Sequence, residues 1–250
     1  MLPNIYKSEA LLAPVDESSS LISGALDQYR GLAGLAGLSL PSGNSSSNSK
    51  KAIEVMSSLS FFENYIMPKI FLPNLMAVRS WDDKKNTIIY DESVFRINSN
   101  TWVNNSANSE KLIPSAQQSF EVFKGHLSIE KNENGYIILT MSHQSPSIAK
   151  QWVEIFVEEI NAYYRQKDKL QSEKAVIYLN KQIANTSLSE IRAVTASILE
   201  KEIQKLTLIE ANKDYVFEYI YPPSIMEKKS EPYRSLIVLL SMTLGFILGI

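Results

Sequence analysis

The C-terminal stretch constrains this chain more than any other. From Tyr221 it reads Tyr-Pro-Pro-Ser-Ile-Met-Glu-Lys-Lys-Ser-Glu-Pro-Tyr-Arg, and from Ser235 onward no charged residue occurs. Pro222, Pro223 and Pro232 lock φ and remove backbone donors, so neither a helix interior nor a central strand accepts this segment. Residues 235–250 then mix Leu, Ile, Val, Met and Phe with Gly245 and Gly249. A bilayer span takes about 20 apolar residues, whereas a run of about 10–14 is more often a buried helix. The run from 235 to 250 lies between these limits and stops with the chain, so it reads as a membrane span cut short. A buried C-terminal helix is the competing reading. On the first reading, everything upstream must return to a membrane surface by Tyr221.

Composition narrows the classes that remain. The 250 residues are enough for one large domain or two small ones, and 44% hydrophobic with 21% charged residues supplies ample core. A net charge of −2 leaves no basic surplus to neutralise phosphates, so nucleic acid is not an expected partner. With no cysteine there is no disulfide, thiolate metal site or thiol catalysis. Met1-Leu-Pro-Asn-Ile-Tyr-Lys has neither the basic nor the apolar region of a signal peptide. The chain opens instead on a strand-like segment, as though a preceding one were missing. Lys228, Lys229 and Arg234 precede the apolar run, and the positive-inside rule alone would place that side in the cytoplasm.

Residues 5–12 are strand-like, ended by Pro14. N-cap candidates at 16–20 precede an amphipathic helix through Leu21, Ile22, Ala25, Leu26 and Tyr29. The glycines of 31–38 are three apart, unlike a G-x-G-x-x-G phosphate loop, and suit close backbone packing better. Residues 41–49, rich in Ser, Asn and Gly, read as a flexible loop, and 50–66 as one helix ahead of Pro68. From 67 to 108 the pattern weakens to a short strand at 87–90 and a polar loop at 98–108 around Trp102. Ser115 is placed to cap a short helix through Lys124. Residues 126–130 and 136–142 form a β-hairpin whose turn contains Asn134-Gly135, both suited to positive φ.

Ser145-Pro146 starts a helix, with Pro at its favoured first position. Apolar residues recur every seven positions at Ala149, Phe156, Tyr163, Leu170, Ile177 and Ala184. Trp152, Val153, Ile155 and Ile160 widen that face near its start, as packing on a sheet requires, while the far half keeps a narrow coiled-coil seam. Asn185-Thr-Ser-Leu interrupts the pattern, and Ser187 with Glu190 is a capping-box signature for a new helix. That helix is lined by Leu188, Ile191, Val194 and Ile198, then Leu199, Ile203, Leu206 and Ile209. The required return decides between one helix and a hairpin. Residues 146–185 rise ~60 Å, 187–212 descend ~39 Å, and a strand over 214–221 adds ~26 Å. A helical hairpin balances the path; a single helix would leave its end ~100 Å away.

Little in the chain suggests catalysis. His126 and His143 lie on or beside the two hairpin strands, but no third ligand at metal spacing accompanies them, so structural roles are expected. No nucleophile-elbow, zinc-protease or P-loop motif occurs. Glu158 and Glu159 could be imagined as a glycosidase pair, but adjacent helical positions point about 100° apart and read as a solvated face. The glycosylation triplets at Asn44, Asn104 and Asn185 matter only in a eukaryotic secretory pathway. No catalytic, cofactor-binding or metal residue is assigned.

The ending Tyr215-Val-Phe-Glu-Tyr-Ile-Tyr-Pro-Pro, followed by Lys229-Ser-Glu-Pro-Tyr-Arg and a Gly-containing apolar run, resembles the chain-length determinant family, the Wzz-type polysaccharide co-polymerases. The likeness extends to the opening Pro3-Asn-Ile-Tyr-Lys-Ser, Leu32-Ala-Gly-Leu-Ala-Gly, Ala52-Ile-Glu-Val-Met, the Asn-Gly hairpin and Ser145-Pro146. The order of these features carries it, since no single motif is specific. The resemblance implies an α+β fold: a membrane-proximal mixed α/β base (1–145 and 213–232), a long projecting helical hairpin (146–212) and the start of a transmembrane helix (233–250). An N-terminal transmembrane helix would be absent from this chain. It implies a homo-oligomeric ring in the Gram-negative inner membrane, with most of the chain in the periplasm. There it would set the modal length of O-antigen or a related glycan made by a separate membrane-embedded polymerase, with the growing glycan as a further candidate partner. Pro222, Pro223, Pro232, Lys229 and Arg234 would correspond to the approach to the second span. Two alternatives stand beside this reading: a capsule or exopolysaccharide export co-polymerase lacking its cytosolic kinase part, and a periplasmic adaptor of an efflux or secretion system. The short distance from the last strand to the apolar run disfavours the adaptor. A glycan-processing enzyme is weakened by the lack of a carboxylate dyad.

Overall fold

A computed structural model describes residues 3–15, 45–103 and 113–232. The helix expected over 16–29, the glycine-rich 31–38, Asn44, Asn104 and the apolar run 235–250 lie outside the described residues. Among the described residues no helix is long and apolar enough to cross a membrane. The fold is mixed α+β with one long helix. In chain order its elements are β1 (Tyr6–Pro14), α1 (Ser45–Met56), α2 (Leu59–Phe61), α3 (Pro73–Met76), β2 (Val78–Asp82), β3 (Thr87–Tyr90), β4 (Phe95–Arg96) and β5 (Thr101–Trp102). They continue with α4 (Ala116–Lys124), β6 (Leu127–Lys131), β7 (Ile137–His143), α5 (Pro146–Asn185), α6 (Ser189–Ala211) and β8 (Phe217–Tyr221).

The strands expected at 5–12, in the hairpin and at 214–221 join one four-stranded sheet, in the order β6-β7-β1-β8. Strand β1 alternates as a half-buried strand must, with Tyr6, Ser8, Ala10 and Leu12 inward. In β7 the inward set is Ile137, Leu139, Met141 and His143. Strands β6 and β7 pair antiparallel from Leu127↔Met141 to Lys131↔Ile137. Their turn differs from expectation in detail. Only Gly135 adopts positive φ, at 86°, and Gly135 N–H donates to the Asn132 carbonyl at 3.0 Å. Residues 132–136 make the connection, and one left-handed position suffices. The last strand begins at Phe217 rather than at 214, and only its first residue is buried.

The chain divides into two compact units. One comprises Met1–Leu11, Ser57–Ile155 and Ile220–Ile250; the other comprises Leu12–Met56 and Phe156–Tyr219. The core of the first is aromatic. Phe62 packs on Phe120 and Phe123, with centroids 5.5 and 4.8 Å away, and Phe123 meets Trp152 at 5.9 Å. Phe95 is surrounded by Phe71, Tyr90 and Trp102. Helix α4 is capped as its sequence predicts: Ser115 Oγ accepts from Gln118 N at 3.2 Å, and Gln118 Oε1 accepts from Ser115 N at 3.1 Å.

Several expectations in this region are corrected. Helix α1 already begins at Ser45, so 45–49 are not loop; Ser and Asn cost only tenths of a kcal/mol per helical residue, about 0.7 at most. The helix expected over 50–66 breaks at Ser57-Ser58. Ser58 is extended and its hydroxyl caps the new turn at Phe61 N, which runs on into a π-helical segment, Phe62–Ile66. Phe61, Phe62 and Ile66 are all buried, and the π turn draws them into a narrower face than a 3.6-residue period would. Residues 67–103, read as weakly patterned, contain α3 and two short strand pairs, β2 with β3 and β4 with β5. Thr101 and Trp102 therefore lie in a strand, and not in a polar loop.

In the second unit, α5 runs on from Phe156 to Asn185, residues 186–188 are non-helical, and α6 follows. The cap of α6 falls on Leu188, which makes no side-chain cap, so the capping box predicted at Ser187 does not form. The chain then comes back to its starting point: Lys169 is paired with Glu210, Arg165 with the Asn212 carbonyl at 3.5 Å, and Asp168 with the Tyr215 hydroxyl at 2.8 Å. From 161 to 185 the helix rises ~36 Å, and α6 returns ~35 Å at about 1.5 Å per residue, so the path closes to within a turn.

Candidate functional site

The two histidines do meet. His126 precedes β6 and His143 ends β7; Ser142 N donates to the His126 carbonyl at 2.9 Å. Their ring centroids are 6.3 Å apart, and both rings lie edge-on to Trp152, at 5.8 and 5.0 Å. The bonding of His143 fixes one neutral tautomer. Its Nδ1 accepts from Ser145 N at 2.9 Å, so Nε2 carries the hydrogen and donates it to the Asn74 carbonyl at 2.9 Å. The Tyr90 hydroxyl in turn donates to Asn74 Oδ1 at 2.6 Å. His143 is only 2% exposed, and this burial pushes its pKa down to about 4, although the bond to Asn74 opposes the shift. Burial also lowers His126, against its 2.7 Å bond to the Ser142 carbonyl. With both nitrogens of His143 engaged by backbone, the ring has no lone pair to offer a metal ion or a substrate proton. Among the described residues no group of three or more His, Cys, Asp or Glu could hold a metal.

Glu158 is exposed as expected, but Glu159 is not: it is buried. The buried set Trp152, Val153, Phe156, Val157, Glu159, Ile160, Asn161 and Tyr164 covers more than half the circumference of α5, so no solvated face is left for Glu159 there. Asn185 is exposed at the end of α5.

The seam of α5 also departs from expectation. Ala149 and Phe156 are buried, but Leu170 is 50% and Ile177 70% exposed, and Ala184 is exposed. On α6, Leu188, Ile191, Val194, Ile198 and Ile203 are likewise exposed, while Ile209 is buried. The two helices hold one another at their base through polar pairs, and their far apolar stripes stay uncovered within one protomer. A seven-residue recurrence establishes a stripe, not the identity of what covers it.

A third arrangement lies where the chain closes on itself. Ile5 N donates to the Glu231 carbonyl at 3.0 Å, Ser230 N donates to the Ile5 carbonyl at 2.8 Å, and Lys7 forms a 2.7 Å ion pair with Glu231. Further along, Ser8 Oγ donates to the Ser224 carbonyl at 2.8 Å. The segment after β8 is thus strapped along the start of β1.

Similar solved structures include a fragment of WzzB, a polysaccharide co-polymerase from Salmonella Typhimurium (12% identity over 91% of this chain and 100% of that one, TM-score 0.37). Others are a full-length bacterial polysaccharide co-polymerase (12% identity, 100% of this chain and 84% of that one, TM-score 0.36) and a mutant of the Shigella flexneri lipopolysaccharide O-antigen chain-length regulator WzzBSF (13% identity, 90% and 100%, TM-score 0.29). No protein-family model and no curated protein matches this chain.

Of the residues that the resemblance to the co-polymerases assigned to the approach to a second span, Pro223 is buried, Pro222 is exposed and Lys229 is half-buried, with Nζ 3.4 Å from Asn4 Oδ1. Arg234 lies outside the described residues. Sequence reasoning missed Asn161. This side chain is 4% exposed; its Nδ2 donates to the Phe217 carbonyl at 2.8 Å, and its Oδ1 accepts from Val216 N at 2.8 Å, Phe217 N at 3.0 Å and Tyr215 N at 3.3 Å. An Asn among Phe156, Ile160 and Tyr164, on the wide apolar face, was the available signal.

Proposed function

We propose that this chain is a non-enzymatic regulator of polysaccharide chain length, setting the modal length of lipopolysaccharide O-antigen, or a related surface glycan, made by a separate membrane polymerase. It would act as a ring of identical subunits at the Gram-negative inner membrane, with most of the chain in the periplasm. In this reading residues 1–145 and 213–232 are a membrane-proximal base, 146–212 a projecting hairpin and 233–250 the start of a span. The observation that carries it is the pairing of Ile5 with Glu231, which returns the chain to its first strand just before the apolar run. A protein anchored at both ends needs that return. Support also comes from the uncovered stripes of α5 and α6, which offer neighbouring copies apolar surface on elements that would stand away from the membrane.

The test is a ladder gel of surface glycan from a deletion strain complemented with variants. His126→Ala and Glu158→Ala should keep a banded length distribution. Leu170→Asp should flatten it while total polymer persists, because polymerisation belongs to another protein. Loss of all polymer in Glu158→Gln, with the protein folded and assembled, would overturn the reading.

A further inference from the structure

We propose that residues 225–229 form a loop that dips into the headgroup layer of an anionic phospholipid bilayer, an inference that rests on the membrane reading above. The loop is pinned at both ends to β1. Ser224 is held by Ser8, and Ser230 and Glu231 by Ile5 and Lys7. Between these anchors the two apolar side chains face solvent: Ile225 is 55% and Met226 44% exposed. A segment fixed this firmly could have tucked a Met and an Ile inward. It instead shows them to solvent beside the exposed Tyr221, an amphipathic side chain of the type enriched at membrane interfaces.

Charge and reach identify the occupant. Past the exposed Glu227, Lys228 and Lys229 follow the apolar pair, and Glu231 is occupied by Lys7, so the loop keeps a net positive charge next to its apolar tip. That pairing suits acyl chains beneath anionic headgroups. Pro232, Tyr233 and Arg234 separate Glu231 from Ser235, where the uncharged run begins, so the reach is at most ~14 Å at about 3.6 Å per step. The interfacial layer on each side of a bilayer is about 5–8 Å deep. If the run enters the membrane, Glu231, the C-terminal anchor of the loop, lies within ~14 Å of its start, which holds the loop next to that layer. The basic residues ahead of the run, anomalous for a non-cytoplasmic flank, then have a local role at the headgroups.

The chain has no cysteine, so single-site spin labels can be introduced directly. The full chain, labelled at Ile225→Cys, Met226→Cys, Ile97→Cys or Leu240→Cys, is reconstituted in vesicles of 3:1 phosphatidylethanolamine and phosphatidylglycerol. Power saturation then compares access by oxygen and by a water-soluble nickel chelate. Labels at 225 and 226 should favour oxygen over the chelate several-fold relative to 97, and less so when vesicles lack phosphatidylglycerol. Labels at 225 and 226 as open to the chelate as 97, with 240 protected, would overturn the loop and leave the span standing. An aqueous 240 with protected 225 and 226 would keep the loop and overturn the span. If all three are aqueous, both fail.

Discussion

Replacing Asn161 by Ala removes the side chain that ties the start of β8 to the long helix. The loss can be worked from its bonds. Two amides, Val216 N and Phe217 N, and one carbonyl, that of Phe217, lose partners at 2.8–3.0 Å in a buried setting. A buried group left without a partner costs about 1–3 kcal/mol, so three sum to about 3–9 before relaxation. Because β8 is short and exposed beyond Phe217, water will recover part of this, and about 3–4 kcal/mol is the expected net loss. The Tyr215 amide, at 3.3 Å and only part-buried, is left out of the sum. Urea unfolding of the full chain in detergent at pH 7.5 measures the change, and Asn161→Leu separates its causes. Leu restores volume but no hydrogen bonds, so it should lose nearly as much as Ala; recovery in Leu would mean that the cavity dominates. Hydrogen exchange at Val216 and Phe217 should accelerate in both variants. A loss below about 1 kcal/mol, with exchange at those amides unchanged, would refute the reasoning.

Other expectations follow from the same structure. His143 titrates near 4 when folded and near 6.5 when unfolded, so its contribution is full above pH 6.5 and lost as pH falls towards 4; at about 1.4 kcal/mol per unit that is about 3 kcal/mol. Unfolding measured between pH 7.5 and 4.5 should show that slope, and His143→Asn should flatten it. Leu170→Asp, at a half-exposed position, should change protomer stability by less than about 0.5 kcal/mol, so any defect should appear in mass photometry of the assembled protein. Ser115→Ala breaks the capping box of α4 and should cost about 1 kcal/mol in the same unfolding assay.

The sequence by itself determined the elements whose cause is local. Gly135 marked the hairpin because left-handed backbone is cheap only without a Cβ. Ser115 with Gln118, and Ser145 with Pro146, marked helix starts because caps and a missing amide act within a few residues. The polar break after Asn185, with the need to return, was enough to predict two helices. Tertiary structure decided what depends on partners distant along the chain. The break at Ser58 and the π turn after it accompany the burial of Phe61, Phe62 and Ile66 against the rest of the fold, and no local period announced either. Glu159 and Asn161 point about 160° apart around α5, yet only the fold shows that both are buried and that Asn161 serves the backbone of β8. The seven-residue stripe was legible, but its exposure beyond Leu170 was not, because periodicity encodes a surface and only packing decides whether that surface is covered.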